Sequence, residues 1–416
     1  MRVLMLVWTG VATDTRVLRE AGALVDARHS VHIIGRGVPA GYSPPAGITV
    51  DSAGAPPRAE GRTRRLTIPE RLVRWTLLPW HVDRRVRRWA REAQGLATEW
   101  ANRGGVPDVV HAHDYTALGL GHTLAQEWGV PLIYDTHEYW AGRPTEGRPT
   151  PLRSRRERRS EDALAGRAAA IITVGAGVAA ALRRDHPRWP PITVVHNSFS
   201  VPNDPPPVSS PPVGAVYAGR LARDRELEVI AEASRHIDLP MTLIGPADES
   251  WLEKFDPGRC AIGGPVPVSE VDVRLAAAGL ALVTHSDAWA NHRLAMPNKL
   301  FHALSLGVPV VATDVGELGA FVRRHGCGTL YRPGDRLSLV AAIRAAVAAH
   351  ADLAGAARVA GEQMGWSRDR DALLGVYAGV LPREDRARAP AVTDTGPPSG
   401  RPDPPETTAA DESKHA

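Results

Sequence analysis

Short apolar runs alternate along the chain with stretches in which apolar residues recur every three or four positions. The runs have the length of buried strands, and the stretches have the spacing of amphipathic helices. The first example is the run over residues 3–8, followed by a loop over 9–15 and a helix over 16–26. Alternation of this kind is typical of a parallel sheet covered by helices, so the pattern predicts an α/β fold.

The alternation is interrupted once, by a proline-rich stretch over 201–212 that reads as a linker. Strands are predicted before it over 3–8, 31–35, 48–50, 108–113, 131–135, 170–174 and 192–196. Strands are predicted after it over 214–218, 241–244, 261–262, 280–284, 309–313 and 329–331. The pattern therefore predicts two Rossmann-like, doubly wound parallel-sheet domains, with ligands expected in the cleft between them beyond the carboxyl ends of the strands.

The predicted boundaries divide the chain into five parts. They are a first domain over 1–198, a linker over 199–213, a second domain over 214–365, a C-terminal helix over 366–381 and a polar tail over 382–416. The tail is rich in proline, glycine, aspartate and threonine without periodicity, which predicts disorder.

Composition narrows the class of protein. The chain has 416 residues, 43% of them hydrophobic, and a net charge of only +4. It has no signal-peptide pattern and no apolar run of membrane-spanning length, so we expect a cytoplasmic protein. Its two cysteines, Cys260 and Cys327, have no metal-type spacing and are expected to be reduced, partly buried thiols.

A glycine and two arginines follow the strand predicted over 214–218. Gly219 lets the backbone approach a ligand closely, and Arg220 and Arg225 carry guanidinium groups that match a phosphate with paired hydrogen bonds. The start of the following helix is also a favourable place for an anion. An anion site is one interpretation of this junction, and a solvated basic loop is the other.

Pro297, Asn298 and Lys299 open a short helix that stops at Gly307. Proline suits a first turn, asparagine is a good capping type, and the amides of residues 298–300 would point at the cleft. Lys299 is one of only three lysines, and the helix dipole disfavours a cation there unless an anion binds as well. The segment therefore favours a diphosphate site over a chance surface cation.

Several of these motifs, taken in order, resemble the donor-binding half of GT-B retaining glycosyltransferases of family 4. The motifs are Gly219-Arg220-Leu221 with Arg225, Gly263-Gly264-Pro265-Val266, and Pro297-Asn298-Lys299-Leu300-Phe301 leading to Gly307. Motifs similar to the acceptor-side loops of that family are Asp14-Thr15-Arg16-Val17 with Glu20, His111-Ala112-His113-Asp114, and Tyr134-Asp135-Thr136-His137-Glu138. The resemblance extends over about residues 1–380.

The resemblance implies a transferase that moves a sugar, with retention, from a nucleotide-diphosphate donor to a hydroxyl acceptor, without a cofactor or metal. The implied catalytic residues are His137, Arg220, Arg225 and Lys299. The implied donor contacts are Gly219, Gly264, Val266, Pro297, Asn298, Leu300 and His302. The implied acceptor-side residues are Gly10, Arg16, His113, Asp114 and Glu138. The cations would stabilise the leaving diphosphate.

The sequence departs from the family at two positions. Members usually carry two glutamates eight residues apart, and Leu294 and His302 stand in those places. The second glutamate normally holds the donor ribose, so His302 either takes that role or is an ordinary half-buried helix residue. These departures leave open a sugar-nucleotide epimerase or a noncatalytic nucleotide-binding partner protein on the same fold.

Two other motifs suggest a metal. His111 and His113 at one strand end, with His137 after the next, can build a hydrolase zinc site, but that leaves the cationic loops unexplained. We therefore expect no metal, and we expect His111 to be a packed strand residue. The Asp369-Arg370-Asp371 string opens a predicted helix, where acids favour the dipole, so it too is not expected to bind metal.

Arginines and tryptophans are mixed over residues 71–89, and residues 153–159 add positive charge. One interpretation is a face that rests on anionic lipid headgroups, which suits a lipid-linked acceptor and a peripheral place on the inner membrane face. The other is an ordinary helix that packs Val82, Val86, Trp89 and Ala93 inward. Nucleic acid is not expected, because no binding module accompanies the charge.

Overall fold

The computed structural model describes residues 1–39, 41–54, 68–143, 151–223 and 225–380, with side chains of 68–83 and 151–154 left out. Residues Met1–Val380 form one compact unit. The predicted tail over 382–416 lies outside the described residues. The basic residues predicted to face a membrane include some over 71–80. These lie in a helix whose backbone is described but whose side chains over 68–83 are not.

The first domain is built on a seven-stranded parallel sheet with the strand order β3-β2-β1-β4-β5-β6-β7. The strands are β1 (Arg2–Val7), β2 (Ser30–Arg36), β3 (Ile48–Ala53), β4 (Val109–His113), β5 (Leu132–Thr136), β6 (Ala170–Thr173) and β7 (Ile192–Val194). The helices are α1 (Thr15–Asp26), α2 (Ile68–Gly104), α3 (Asp114–Trp128), α4 (Pro151–Ala165) and α5 (Ala176–Asp185).

The second domain is built on a six-stranded parallel sheet with the order β10-β9-β8-β11-β12-β13. The strands are β8 (Ala215–Ala218), β9 (Met241–Ile244), β10 (Ala261–Gly263), β11 (Ala281–Val283), β12 (Val310–Thr313) and β13 (Gly328–Tyr331). The helices are α6 (Leu227–Ala233), α7 (Glu249–Leu252), α8 (Val268–Ala278), α9 (Ala290–Leu294), α10 (Asn298–Ser305), α11 (Gly316–His325), α12 (Arg336–Ala348), α13 (His350–Gln363) and α14 (Trp366–Val380).

The two-sheet architecture confirms the predicted fold class, and every predicted strand is present with its ends within three residues. In both sheets the chain order reverses beside the first strand, between β1 and β4 and between β8 and β11. Ligands of open parallel sheets bind beyond the carboxyl ends of the strands at such a switch point. A ligand is therefore expected at the loops that follow these four strands.

Helix α14 packs on the first domain although it follows the second in sequence. Leu373, Val376 and Tyr377 are buried with the apolar residues of α1 and β1. The Asp369 carboxylate lies 3.0 Å from His196 Nδ1 and accepts a hydrogen bond from Ser198. Asp369 therefore anchors the helix to the end of the first domain.

Helix α2 carries an exposed basic face over a buried apolar one. Trp89 and Ala93 are buried, as the packing interpretation requires, and Arg84, Arg85, Arg87, Arg88 and Arg91 are exposed. In the part of the chain that the structure describes, no single helix is long and apolar enough to cross a membrane. Helix α12 and the helical stretch after it reach that length and apolar content only when taken together, and they are bent by 89° relative to each other. Cys260 and Cys327 are free, as expected, and both are buried.

Candidate functional site

A buried arginine and aspartate hold together the strand ends of the first domain. Arg16 Nε donates to Asp135 Oδ2 at 2.8 Å and Nη2 donates to Oδ1 at 2.9 Å, while Nη1 donates to the carbonyl of Val195 and to Asn197. Burial opposes the charge on Arg16, but Asp135 and Glu20 outweigh burial and raise its pKa. The guanidinium is thus committed to protein atoms, and an acceptor contact by Arg16 stays a prediction.

His137 lies between two carboxylates. Its Nε2 is 3.1 Å from Asp135 Oδ2, its Nδ1 is 3.3 Å from Asp114 Oδ2, and its backbone amide donates to Asp114 Oδ1 at 3.0 Å. Burial lowers the pKa of His137, but the two carboxylates outweigh it and the pKa lies well above the ordinary value. The two carboxylates therefore favour the imidazolium form of His137, which cannot act as a general base.

Asp114 adopts a backbone conformation that few side chains tolerate. Its φ is +62°, and it is the first residue of α3. Burial alone would raise the pKa of its carboxyl, but the imidazolium of His137 lowers it below the ordinary value. Strain of this kind persists only where surrounding contacts enforce it, and it is common at functional sites.

Glu20, His111, His113 and Asp135 place one ligand atom each within 4.8 Å of one another, which is close enough for a metal ion. Arg16 already supplies a cation to this cluster, 3.0 Å from Glu20 Oε1. Burial raises the pKa of Glu20 to about 7, so the carboxyl carries only part of its charge at neutral pH. The cluster is thus close to neutral without a metal. His111 is fully buried and its Nδ1 lies 2.7 Å from the Tyr377 hydroxyl, as expected for a packed residue.

Glu138 and the next residue connect the first domain to the second. Asn291 Nδ2 donates to Glu138 Oε2 at 2.9 Å, and the Tyr139 amide donates to Asn291 Oδ1 at 3.1 Å. Burial and the charge of Asp114 raise the pKa of Glu138 to about 7. This amide bridge places the loop after β5 of the first domain directly against α9, which precedes the Lys299 helix.

Two glycines meet at the carboxyl end of β8. Gly245, with φ +143°, approaches so closely that a side chain would overlap the carbonyl of Gly219. Gly219 donates to the Ile244 carbonyl at 2.9 Å and packs against the Lys299 side chain. Lys299 Nζ lies 3.4 Å from the Tyr217 hydroxyl and 4.6 Å from the centre of its ring. The predicted glycine and lysine are thus brought together.

Lys299 is a half-buried cation without an acid. Among the residues that the structure describes, no carboxylate lies within 4.0 Å of its Nζ. Burial and the charge of Arg225 lower the pKa of Lys299 to about 7. Arg225 is held nearby, because its carbonyl accepts a hydrogen bond from Thr284 at 2.6 Å. A half-buried lysine beside a second cation, with no carboxylate in reach of its Nζ among the described residues, forms a site suited to an anion.

Helix α10 begins one residue earlier than a cap at Asn298 would give. Pro297 is the N-cap, so Asn298 is the first helical residue and its side chain caps nothing. The Leu300 amide donates to the Pro297 carbonyl at 2.9 Å and is not free, contrary to expectation. Geometry therefore leaves the amides of Asn298 and Lys299, rather than three amides, as the candidate anion donors at this helix end.

The histidine after β11 was missed by sequence reasoning. His285 is 7% exposed, and neither ring nitrogen has a hydrogen-bond partner among the described residues. Burial, with Lys299, His292 and Arg225 nearby, lowers its pKa to about 2. The available signal was its place directly after an apolar run, at the carboxyl end of a strand beside the switch point.

His302 is committed to neighbours in the second domain and the linker. Its Nε2 lies 2.5 Å from Asp272 Oδ1, and its ring stacks on Phe199 at 4.6 Å. The Phe199 ring also contacts the first domain, because the Arg19 guanidinium lies 4.7 Å from its centre. Leu294 lies on α9, half-buried among apolar residues of the first domain. A ribose contact by His302 stays a prediction.

Two family models match the chain, one to each domain. The model described as "Glycosyl transferase 4-like domain" matches residues 10–198, and the model described as "Glycosyl transferases group 1" matches residues 213–349. The chain belongs to the group 1 glycosyltransferases. It is a nucleotide-sugar glycosyltransferase of GT-B fold, as the sequence motifs implied.

Relatives of this glycosyltransferase include enzymes and solved structures. It is 26% identical over 372 residues to glycogen synthase of Mycobacterium tuberculosis, which covers 83% of this chain and 85% of that one. Sucrose-phosphate synthase of Thermosynechococcus elongatus superposes with a TM-score of 0.69 at 16% identity, covering 91% and 98% of the two chains. HepE of Anabaena, solved with UDP, superposes with a TM-score of 0.68 at 16% identity, covering 91% and 100%. The structural likenesses establish the fold alone.

The remaining predicted site residues of the glycosyltransferase lie in loops that follow strands β1, β8 and β10. Gly264 and Val266 belong to the loop after β10, the edge strand of the second sheet, and Gly264 is exposed. Gly10 precedes a short turn after β1, at the first switch point. Arg220 is exposed, and its charge lowers the pKa of Asp248 after the hydrogen bonds that Asp248 accepts within its own turn. Their ligand contacts stay predictions.

A separate groove of about 670 Å³ lies between α6 and α7 on the second domain. Several of its charged groups have partners: Arg235 binds Glu232 and Asp256, and the Trp251 ring nitrogen donates to Glu228. Arg223 and Lys254 also line the groove, but they are exposed, unlike the half-buried Lys299.

Proposed function

We propose that the protein is a retaining, metal-independent transferase that moves a sugar from a nucleotide-diphosphate donor to a hydroxyl acceptor in glycan, cell-surface or metabolite biosynthesis. The observation that carries the proposal is Lys299, a half-buried cation beside Arg225 with no carboxylate within reach among the described residues. It lies at the start of α10 and at the switch point of the second sheet, where anions are favoured.

The cations supply the chemistry that the reaction needs most. Charge develops on the departing diphosphate as the bond to the sugar breaks, and pre-positioned cations stabilise that charge without reorganising. Lys299, Arg225 and the free amides at the start of α10 can do this together. With front-face attack, the leaving phosphate accepts the proton of the acceptor hydroxyl and the anomeric configuration is retained.

Metal independence is supported by the residues that a metal would need. Asp369 is engaged by His196 and Ser198, and the cluster around His113 and Asp135 already contains the Arg16 cation. A double-displacement route would require a free carboxylate near the sugar. Asp114 and Asp135 are both paired to His137, which favours a route without a carboxylate nucleophile.

The donor and acceptor are chosen for testing by analogy. HepE was solved with UDP and with UDP-glucose, so UDP-sugars come first in a panel that also holds GDP- and dTDP-sugars. The exposed arginines of α2, together with Arg155, Arg156, Arg158 and Arg159 of α4, support a lipid-linked acceptor at an anionic membrane surface. We propose a cytoplasmic protein, peripheral on the inner face of the membrane.

The test is donor turnover by the purified full chain in the presence of EDTA, across UDP-, GDP- and dTDP-sugars with simple sugars and a lipid-extract acceptor. We expect turnover of one donor that EDTA leaves unchanged and that Lys299→Met abolishes. Nucleotide binding without turnover by any donor would favour the noncatalytic or epimerase alternative. Turnover that EDTA abolishes and Mg²⁺ or Mn²⁺ restores would contradict metal independence.

A further inference from the structure

His285 lies at the carboxyl end of a central strand of the second sheet. It follows β11 by two residues, and β11 neighbours β8 across the switch point of the strand order. Its backbone amide donates to Thr313 Oγ1 at 2.9 Å, at the end of β12, so its position is fixed by the sheet. The side chain is therefore held where the fold binds ligands.

The imidazole is buried with its hydrogen-bonding capacity unused. His285 is 7% exposed, and both ring nitrogens lack a partner among the described residues. His111 and His113 differ, because each has one ring nitrogen at hydrogen-bond distance from a neighbour. Buried polar groups without partners are rare and costly, and one at a ligand-binding edge indicates a partner that the ligand supplies.

The neighbours of His285 determine which partner fits. Lys299 and Arg225 are close enough to lower its pKa after burial does so, which keeps the ring neutral. A neutral imidazole offers one donor and one acceptor. Phosphate oxygens only accept at neutral pH, so a diphosphate would satisfy one nitrogen at most. A hydroxyl both donates and accepts, so sugar hydroxyls can satisfy both.

Strand order separates the two ends of the donor. The loop with Gly264 and Val266 follows β10, on one side of β8, whereas His285 follows β11 on the other side. The segment after His285 leads to Asn291, which binds Glu138 of the first domain. With the nucleoside at the loop of Gly264, as the family resemblance implies, a diphosphate at Lys299 would have the transferred sugar on the His285 side.

We propose that His285 binds hydroxyl groups of the transferred sugar and thereby contributes to the choice of donor. The inference rests on the proposed function, because it needs a nucleotide diphosphate at Arg225 and Lys299. His285 acts as a hydrogen-bonding group for the sugar and transfers no proton in the reaction.

The test separates nucleotide from sugar. Affinities are measured for UDP against UDP-glucose and UDP-galactose, GDP against GDP-mannose, and dTDP against dTDP-glucose, using wild type, His285→Phe and His285→Asn. We expect His285→Phe to lose about tenfold in affinity for the bound nucleotide sugar while its affinity for the matching diphosphate stays within about twofold. If the donor is a UDP-sugar, the same variant should also discriminate less between the epimers UDP-glucose and UDP-galactose.

His285→Asn and a control variant separate a lost sugar contact from a general loss of folding. Asparagine keeps one donor and one acceptor, so His285→Asn should recover part of the affinity and provides a second variant if phenylalanine impairs folding. His325→Phe is the control, because His325 is a half-buried histidine of the same domain, stacked on Phe321. Thermal unfolding of each variant checks that the fold is retained.

Equal losses for diphosphate and nucleotide sugar, or no loss for either, in folded His285 variants would overturn the inference while leaving the proposed function intact. A wild-type protein that binds none of the diphosphates contradicts the proposed function and the inference with it. Loss confined to the nucleotide sugar supports both.

Discussion

The charged clusters of the two domains are built on opposite principles. In the first, Arg16, Asp135, His137 and Asp114 neutralise one another through hydrogen bonds of 2.8 to 3.3 Å. In the second, Lys299 and Arg225 lie together near a neutral His285, and Lys299 has no acid within reach among the described residues. Both sets lie at a strand-end switch point, yet only the second is incomplete by itself.

This difference separates residues that hold the structure from residues that await a ligand. A buried pair that satisfies itself fixes loop geometry and resists change. A cation whose pKa is lowered to about 7 by burial and a like charge gains most when an anion arrives. The first cluster thus holds the loop after β5 in place, and the second has the unpaired charge that we propose binds the donor.

Removing Asp135 should have the largest effect, and on stability. Asp135→Ala removes the buried carboxylate that Arg16 and His137 share, leaving Arg16 only Glu20 and His137 only Asp114 as an acid partner. The free energy of unfolding should therefore fall by about 3–5 kcal/mol in denaturant titrations. Asp371→Ala is the matched control, since Asp371 forms an exposed pair with Arg370 and should cost less than about 1 kcal/mol. Similar small losses in both variants would break the proposed contrast.

Removing Lys299 should affect binding instead. Lys299→Met deletes a charge that has no acid partner and fills its place with an apolar chain, so the unfolding free energy should stay the same or rise. Affinity for the nucleoside diphosphate should fall by about 10- to 100-fold, measured by calorimetry, because a charge-assisted contact is lost. A variant that unfolds easily but binds normally would reverse the assignment of the two clusters.

Asn291 connects the clusters and should have an intermediate effect. Asn291→Ala removes two hydrogen bonds to the first domain, worth about 1–3 kcal/mol together. The variant should lose that stability, and the Tyr139 amide should exchange its hydrogen faster. Loss of the donated bond should also raise the pKa of Glu138 above its present value of about 7. Unchanged exchange at Tyr139 would mean that the bridge does not couple the domains.

His302 lies outside both clusters and should have the smallest effect. If it contacts the nucleoside, His302→Ala should weaken binding by about three- to tenfold, to different extents for UDP, GDP and dTDP. Asp272→Asn should give a similar pattern, because Asp272 holds the imidazole at 2.5 Å. An equal, base-independent loss would instead assign His302 to the stack with Phe199 between the domains.

Local patterns were enough to predict the strands, the helix opening at Pro297 and the proximity of Gly219 to Lys299. They could not give contacts between distant segments. Arg16 meets Asp135 119 residues away, and Glu138 meets Asn291 153 residues away, so neither partner follows from spacing. For the same reason His285 escaped notice, since its importance comes from the order of β8 and β11 in the sheet. The Leu300 amide shows a limit of another kind, because the cap position at Pro297 decided which amides stay free.

The most direct test of the central claim is the number of protons taken up when the nucleotide sugar binds. Lys299, with a pKa of about 7, is mostly neutral at pH 8, and a diphosphate beside it favours the charged form, so affinity should weaken as the pH rises above 7. Calorimetry at pH 8 in two buffers of different ionisation enthalpy should report uptake of about 0.9 proton by wild type and none by Lys299→Arg. Binding without proton uptake by wild type, or with equal uptake by the arginine variant, would contradict the account.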